Sequence, residues 1–102
     1  MPYVIRHKQT GQIFSCKLIN IHGFEYYGIK SWEDLKTAEK EWVGFLRERG
    51  TEASREWELS EVDEHQHKMC NVKLNNDASR RVYIDGQGRI EAKNSAEKED
   101  RV

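Results

Sequence analysis

The densest grouping of side chains able to do chemistry is Glu61-Val62-Asp63-Glu64-His65-Gln66-His67-Lys68-Met69-Cys70. Its His-x-His-x-x-Cys spacing offers two imidazoles and a thiol, with Cys16 available as a fourth donor, which is the ligand chemistry of zinc. Geometry works against that use. In a strand, His65 and His67 share a face and Cys70 opposes them. In a helix, His67 and Cys70 share a face and His65 leaves it. Structural zinc sites usually present two paired ligand sets, and this chain presents one. No metal and no cofactor is therefore expected, and residues 61–67 read as a solvated acidic loop leading into a strand.

The same segment supplies pairs suited to proton transfer, Asp63 with His65 or Glu61 with His67. They would define a metal-dependent enzyme centred on residues 61–67. Acid–base work needs a pocket and shifted pKa values, which no sequence displays. The chain has no nucleophile elbow, no phosphate loop and no His-Glu-x-x-His. Gly86-x-Gly88 belongs to a turn, with no helix after it to complete a dinucleotide fingerprint. The enzyme reading ranks last of three, and no catalytic residue is assigned.

A second reading is a nucleic-acid or nucleotide binder. Lys73, Arg80, Arg81, Tyr83 and Arg89 could gather on the C-terminal strands, with Arg6, His7, Lys8 and Lys17 as another patch near the N-terminus. Tyrosines beside arginines stack bases while the cations neutralise phosphates. Against it, Asp77, Asp85 and Glu91 interleave with the C-terminal cations. The chain carries 17 Lys plus Arg against 18 Asp plus Glu, so it has no global field for polyanions.

The leading reading is a non-enzymatic binding or regulatory module that works through protein–protein contact, with self-association as its economical form. It rests on the aromatic residues. Phe24, Tyr26, Tyr27, Trp32, Trp42, Phe45 and Trp57 are too many to bury fully in one small domain. Tyr26 and Tyr27 are the informative pair, because strand geometry sends adjacent rings to opposite faces. One ring should be exposed, and tyrosine is enriched in binding hot spots.

The elements that must position these residues follow from hydrophobic period. Tyr3–Lys8 is rich in strand formers and runs into Gln9-Thr10-Gly11-Gln12, a hairpin turn. Residues 13–21 resume a strand, with Phe14, Cys16 and Leu18 alternating and a bulge or bend expected at Leu18-Ile19. A turn at His22-Gly23 leads into a third strand over Phe24–Lys30. From Ser31 to Gly50 the apolar residues Trp32, Leu35, Ala38, Trp42, Phe45 and Leu46 fall on one side of a helix, with Val43 at its edge. Ser31 reads as its cap, with Asp34 three residues on, and Gly50 as its terminator. Glu39 falls near the apolar stripe and reads as a carboxylate at its edge.

Thr51–Ser54 is a polar connector, and Arg55–Asp63 reads as a strand on the alternation of Trp57 and Leu59. Lys68–Leu74 reads as another, with Cys70, Val72 and Leu74 on one face. Asn75-Asn76-Asp77-Ala78-Ser79 is a turn, and Asp85-Gly86-Gln87-Gly88 joins a final hairpin. Residues 93–102 carry six charges and read as a disordered tail.

The fold class is therefore α+β. A single domain over 1–92 holds a mostly antiparallel sheet of five to seven strands, built from an N-terminal three-strand meander and C-terminal hairpins. One long amphipathic helix packs against it. That helix covers one sheet face, which leaves the reverse for a protein partner or a second copy. No apolar run approaches the ~20 residues of a membrane span, so no membrane partner is expected. No signal-peptide pattern opens the chain, so a cytoplasmic location with Cys16 and Cys70 as free thiols is expected.

Overall fold

The computed structural model describes residues 1–51 and 55–94. β1 (Tyr3–His7) runs antiparallel to β6 (Trp57–Glu61) along its whole length, from Tyr3 opposite Glu61 to His7 opposite Trp57. On its other side β1 pairs with β5 (Ser31–Trp32) and with β2 (Gln12–Ile13). β2 continues to β7 (Arg80–Ile84), and β7 to β8 (Ile90–Asn94), making a six-stranded sheet. β3 (Ser15–Ile19) and β4 (Glu25–Ile29) form a separate two-stranded arm. α1 is Leu35–Glu48 and α2 is Glu64–Leu74.

The α+β class and the antiparallel sheet are as expected, and so are the strand at 57–61 and the final hairpin. Three expectations need correction. The N-terminal strands are not one meander, because the chain breaks at Phe14 and not at Leu18-Ile19. Ile13 points into one core cluster, Phe14 packs against the other, and the arm then leaves the main sheet. The long helix starts later than Ser31. Ser31 and Trp32 are strand residues against β1, and Asp34 is the cap, its carboxylate accepting from the Thr37 backbone N–H. At 14 residues α1 is about 21 Å long.

The third correction changes the architecture. Residues 64–74, expected to be a loop and then a strand, form a second helix. Its start is fixed by a reciprocal capping box. Gln66 N–H donates to the Asp63 carboxylate at 2.6 Å, and Asp63 N–H donates to Gln66 Oε1 at 3.0 Å. Cys70 and Leu74, four apart, point inward, and Val72 is 56% exposed. Val72 on the solvent side is incompatible with a strand that buries Cys70 and Leu74.

The two helices lie on different sides of the strands. α1 contributes Ala38 and Leu46 to a cluster with Ile5 and Trp32, against which Trp42, Phe45, Trp57 and Leu59 pack. α2 contributes Cys70 and Leu74 to a cluster with Val4, Ile13, Val82 and Ile84. The sheet face expected to lie open opposite α1 is thus covered in part, at β7 and β8, by the second helix. Glu39 is exposed, and the carboxylate that matters on α1 is Glu41, which accepts from Trp32 Nε1 at 2.9 Å.

Of the polar connector, residues 52–54 lie outside the described residues. So does the charged tail from 95 onward, whereas Lys93 and Asn94 complete β8. No helix among the described residues is long and apolar enough to cross a membrane.

Burial pushes the Cys70 thiol up to about 12, while Cys16 is half-buried on the arm. In native protein at pH 8, a disulfide reagent should label Cys16 at least ~100-fold faster than Cys70, because so little of the buried thiol is ionised. Labelling of Cys70 should follow unfolding. Two equally fast thiols in native protein would put α2 elsewhere.

Candidate functional site

The arm is built to stand rigidly off the sheet. Ser15 through Ile19 pair in register with Ile29 through Glu25. The outer edge of β4 is not left to solvent. Asn76 Oδ1 accepts from Tyr27 N–H at 2.6 Å, and Asn71 Oδ1 accepts from Ile29 N–H at 3.0 Å. Both asparagines come from α2 or the turn after it, where Asn75 and Asn76 adopt left-handed φ of 52° and 54°. Asparagine tolerates that conformation better than most residues. Arg81 Nη1 donates to the Tyr27 hydroxyl at 2.8 Å, and that hydroxyl meets Ser15 Oγ at 2.8 Å.

The tip of the arm is equally fixed. Asn20 Oδ1 accepts from the backbone N–H of His22 and of Phe24, and Asn20 and Phe24 also bond through their backbones. Around this locked turn Ile19, Ile21 and Phe24 are 69%, 96% and 70% exposed. These are the three most exposed large apolar side chains among the described residues, and exposed apolar side chains gathered at one turn are a feature of interaction surfaces.

At the base of the arm lies a groove of about 510 Å³. One wall is the arm, with Lys17 and Tyr26, and the other is the end of α1, with Phe45 and Arg49. Lys30, Ser31 and His67 line it between them. The Arg49 guanidinium lies 3.7 Å from the Phe45 ring centre, and Lys30 Nζ lies 5.2 Å from the same centre and 5.0 Å from that of Trp32. The aromatic rings therefore hold both cations in place. Ser31 Oγ and His67 Nε2 share a hydrogen bond of 3.0 Å. No carboxylate is hydrogen-bonded to His67 among the described residues. The contact therefore ties β5 to α2 without the third member that orients a nucleophile–base pair.

The residues singled out from sequence are dispersed. Tyr26 lines the groove and is partly exposed. Tyr27 is half-buried and anchors the arm. The Lys73 carbonyl accepts from Arg80 Nη1 at 3.0 Å, so these two meet on the α2 side of β7. Arg81 is spent on Tyr27 and on the carbonyls of Ala78 and Arg80. Tyr83 and Arg89 share an open depression at the β7–β8 hairpin with Asp85, Glu91 and Lys93. There Arg89 pairs with Asp85 at 3.0 Å and Lys93 with Glu91 at 3.9 Å, so the surface is charge-balanced. Near the N-terminus Arg6 pairs with Glu58 and His7 with Glu56.

The acidic segment is structural. Asp63 is committed to the α2 cap, and Glu61 ends β6. His65 is exposed, His67 faces Ser31, and Cys70 is buried. Among the described residues no group of three or more His, Cys, Asp or Glu could hold a metal ion. The shifted carboxyls sit elsewhere, in turns and caps. Hydrogen bonds from Thr37, from Ser79 and from the Arg89 backbone hold Asp34, Asp77 and Asp85 respectively below the usual carboxylate range.

Sequence reasoning passed over Ile19 and Ile21, named Phe24 only as one of seven aromatic residues, and passed over Lys30 and Arg49. A signal for the first three existed. Leu18-Ile19-Asn20-Ile21 carries apolar residues up to and into a turn, where polar residues are the rule. For Lys30 and Arg49, 19 residues apart, no local pattern marks their convergence. Comparison with protein-family models, curated proteins and solved structures found no match for this chain.

Proposed function

We propose that the chain is a small non-enzymatic binding module that acts through protein–protein contact, with the tip of the β3–β4 arm as its anchor. The observation that carries this reading is the exposure of Ile19, Ile21 and Phe24 on a turn whose backbone is locked by Asn20. A rigid apolar knob loses little conformational entropy on docking, so most of its burial appears as affinity. An apolar cleft on a partner protein is the complementary surface. The flanking charges, Lys17 and Glu25, pair with each other at 4.0 Å and leave no cationic ring to favour anionic lipid.

A photoreactive residue at position 21 tests the proposal, with the same residue at exposed Lys36 on α1 as control. Position 21 should capture a protein that position 36 does not. That protein, once purified, should bind the wild-type chain and lose at least ~30-fold in affinity to Phe24→Asp, about 2 kcal/mol, as expected of a central anchor. A second copy as the captured protein would make the module self-associating, and sedimentation of wild type against Phe24→Asp would show the dimer and its loss. Identical capture from both positions, or affinity indifferent to Phe24→Asp, would overturn the proposal.

A further inference from the structure

We propose that the groove between the arm and the end of α1 binds a mononucleotide-type ligand, its phosphate held by Lys30 and Arg49 and its planar base laid on Tyr26. The inference does not use the apolar side chains of the arm's tip, although Ile19 also lines the groove. Its first support is charge. In a chain of net charge −1, the groove gathers Lys17, Lys30 and Arg49 around a single lining carboxylate, Glu25. Glu25 lies 4.0 Å from Lys17, and Glu48 reaches Arg49 only at 3.7 Å from an exposed rim position. Lys30 makes no ion pair with a described residue. It is poised instead over Trp32 and Phe45, where a cation keeps its N–H donors free. Arg49, its guanidinium 3.7 Å from the Phe45 ring centre, is likewise held by an aromatic ring beside the groove.

The second support is the ring. Gly28 lies beside Tyr26 on β4, and a Cβ on Gly28 would come within 2.8 Å of Tyr26 Cε2. The missing side chain lets the tyrosine lie along the arm, in a fixed position on the groove wall. Aromatic stacking contributes ~1–3 kcal/mol per base and tolerates any base, because each has a π-face. Ser31 and His67 add polar groups at hydrogen-bonding range from one another, and ~510 Å³ falls inside the range of small-ligand sites. The groove thus sets a cation without an ion pair among the described residues, Lys30, beside an exposed ring, Tyr26. The depression at Tyr83 has its cations neutralised by Asp85 and Glu91.

The test is titration of the whole chain at low salt with AMP, GMP, CMP and UMP, beside adenosine and inorganic phosphate, followed by calorimetry and amide NMR. At least one monophosphate should bind with Kd below ~1 mM. The shifted amides should centre on Tyr26, Lys30, Arg49 and His67. Raising salt to about 200 mM should weaken binding, because the groove is partly solvated. Lys30→Gln should weaken it at least tenfold and Tyr26→Leu by a similar factor, while Lys73→Gln, outside the groove, should not change it. Lys17→Gln serves if Lys30→Gln loses its dispersed amide spectrum. Absence of binding by all four monophosphates, shifts centred on Tyr83 and Arg89, or indifference to both lysine variants would overturn the site. Inorganic phosphate binding as tightly as the nucleotides would overturn the role of Tyr26.

Discussion

Leu74→Ala should cost about 2–5 kcal/mol, and Val72→Ala should stay within about 0.5 kcal/mol. Leu74 is fully buried at the end of α2, against β-sheet residues Val82 and Ile84, and no solvent can enter to fill the space it leaves. Val72, two residues away, faces water. The contrast is diagnostic of period. A strand over 68–74 would bury both side chains or neither, whereas a helix turns the second by 200° relative to the first. A loss of this size is a large share of the 5–15 kcal/mol typical of a domain, and it should lower Tm by roughly 10–30 °C. Chemical denaturation of both variants checks it. Equal losses would restore the strand and remove the second helix.

Gly11→Ala should be nearly as damaging, for reasons of backbone and not of burial. Gly11 closes the first hairpin with φ +79°, where an L side chain costs ~1–2 kcal/mol. In addition, the new Cβ would lie 2.5 Å from the Ile84 carbonyl oxygen. That oxygen cannot step aside, because it accepts from Arg6 Nη2 at 3.1 Å while Ile84 N–H donates to Gly11 O at 2.9 Å. The substitution therefore loses backbone comfort and disturbs two hydrogen bonds at Ile84, one from Arg6 on β1 and one to the Gly11 carbonyl. A total of about 3 kcal/mol or more is expected. Gly44→Ala should do the reverse. Gly44 sits inside α1 with open space where a Cβ would go, so alanine should stabilise by about 0.5–1 kcal/mol. Opposite signs for two glycine-to-alanine changes in one denaturation series would separate conformation from propensity. A neutral Gly11→Ala would mean that the hairpin is held less tightly than its geometry indicates.

The sheet and α1 were readable because each has a signal that survives in a short window. Trp57 and Leu59 alternate with charges, Asp85-Gly86-Gln87-Gly88 is a turn that few other structures accommodate, and Ala38, Trp42, Phe45 and Leu46 keep a helical period. α2 was not readable from period, because only Cys70 and Leu74 along it are buried. Cys70, Val72 and Leu74 satisfy a two-residue alternation by coincidence over three positions. The information lay in Asp63 and Gln66, whose three-residue spacing is a cap signal. The break at Phe14 was hidden for a different reason: adjacent apolar residues serve opposite sides of the sheet, which looks like an ordinary buried run. The tip of the arm left an apolar trace inside a turn. The groove left none, since Lys30 and Arg49 meet Tyr26 only once α1 folds back toward the arm.

Val4 and Ile5 are neighbours in sequence, yet each belongs to a different core cluster, and Ile13 and Phe14 repeat the arrangement one strand over. A single peptide unit therefore links the two halves of the interior at both places. Neither half can melt while the other stays ordered, because the strand that one releases is the strand that the other needs. The molecule should lose its structure in one sharp calorimetric event, with heat absorbed as a single peak, even though its two helices pack into different core clusters.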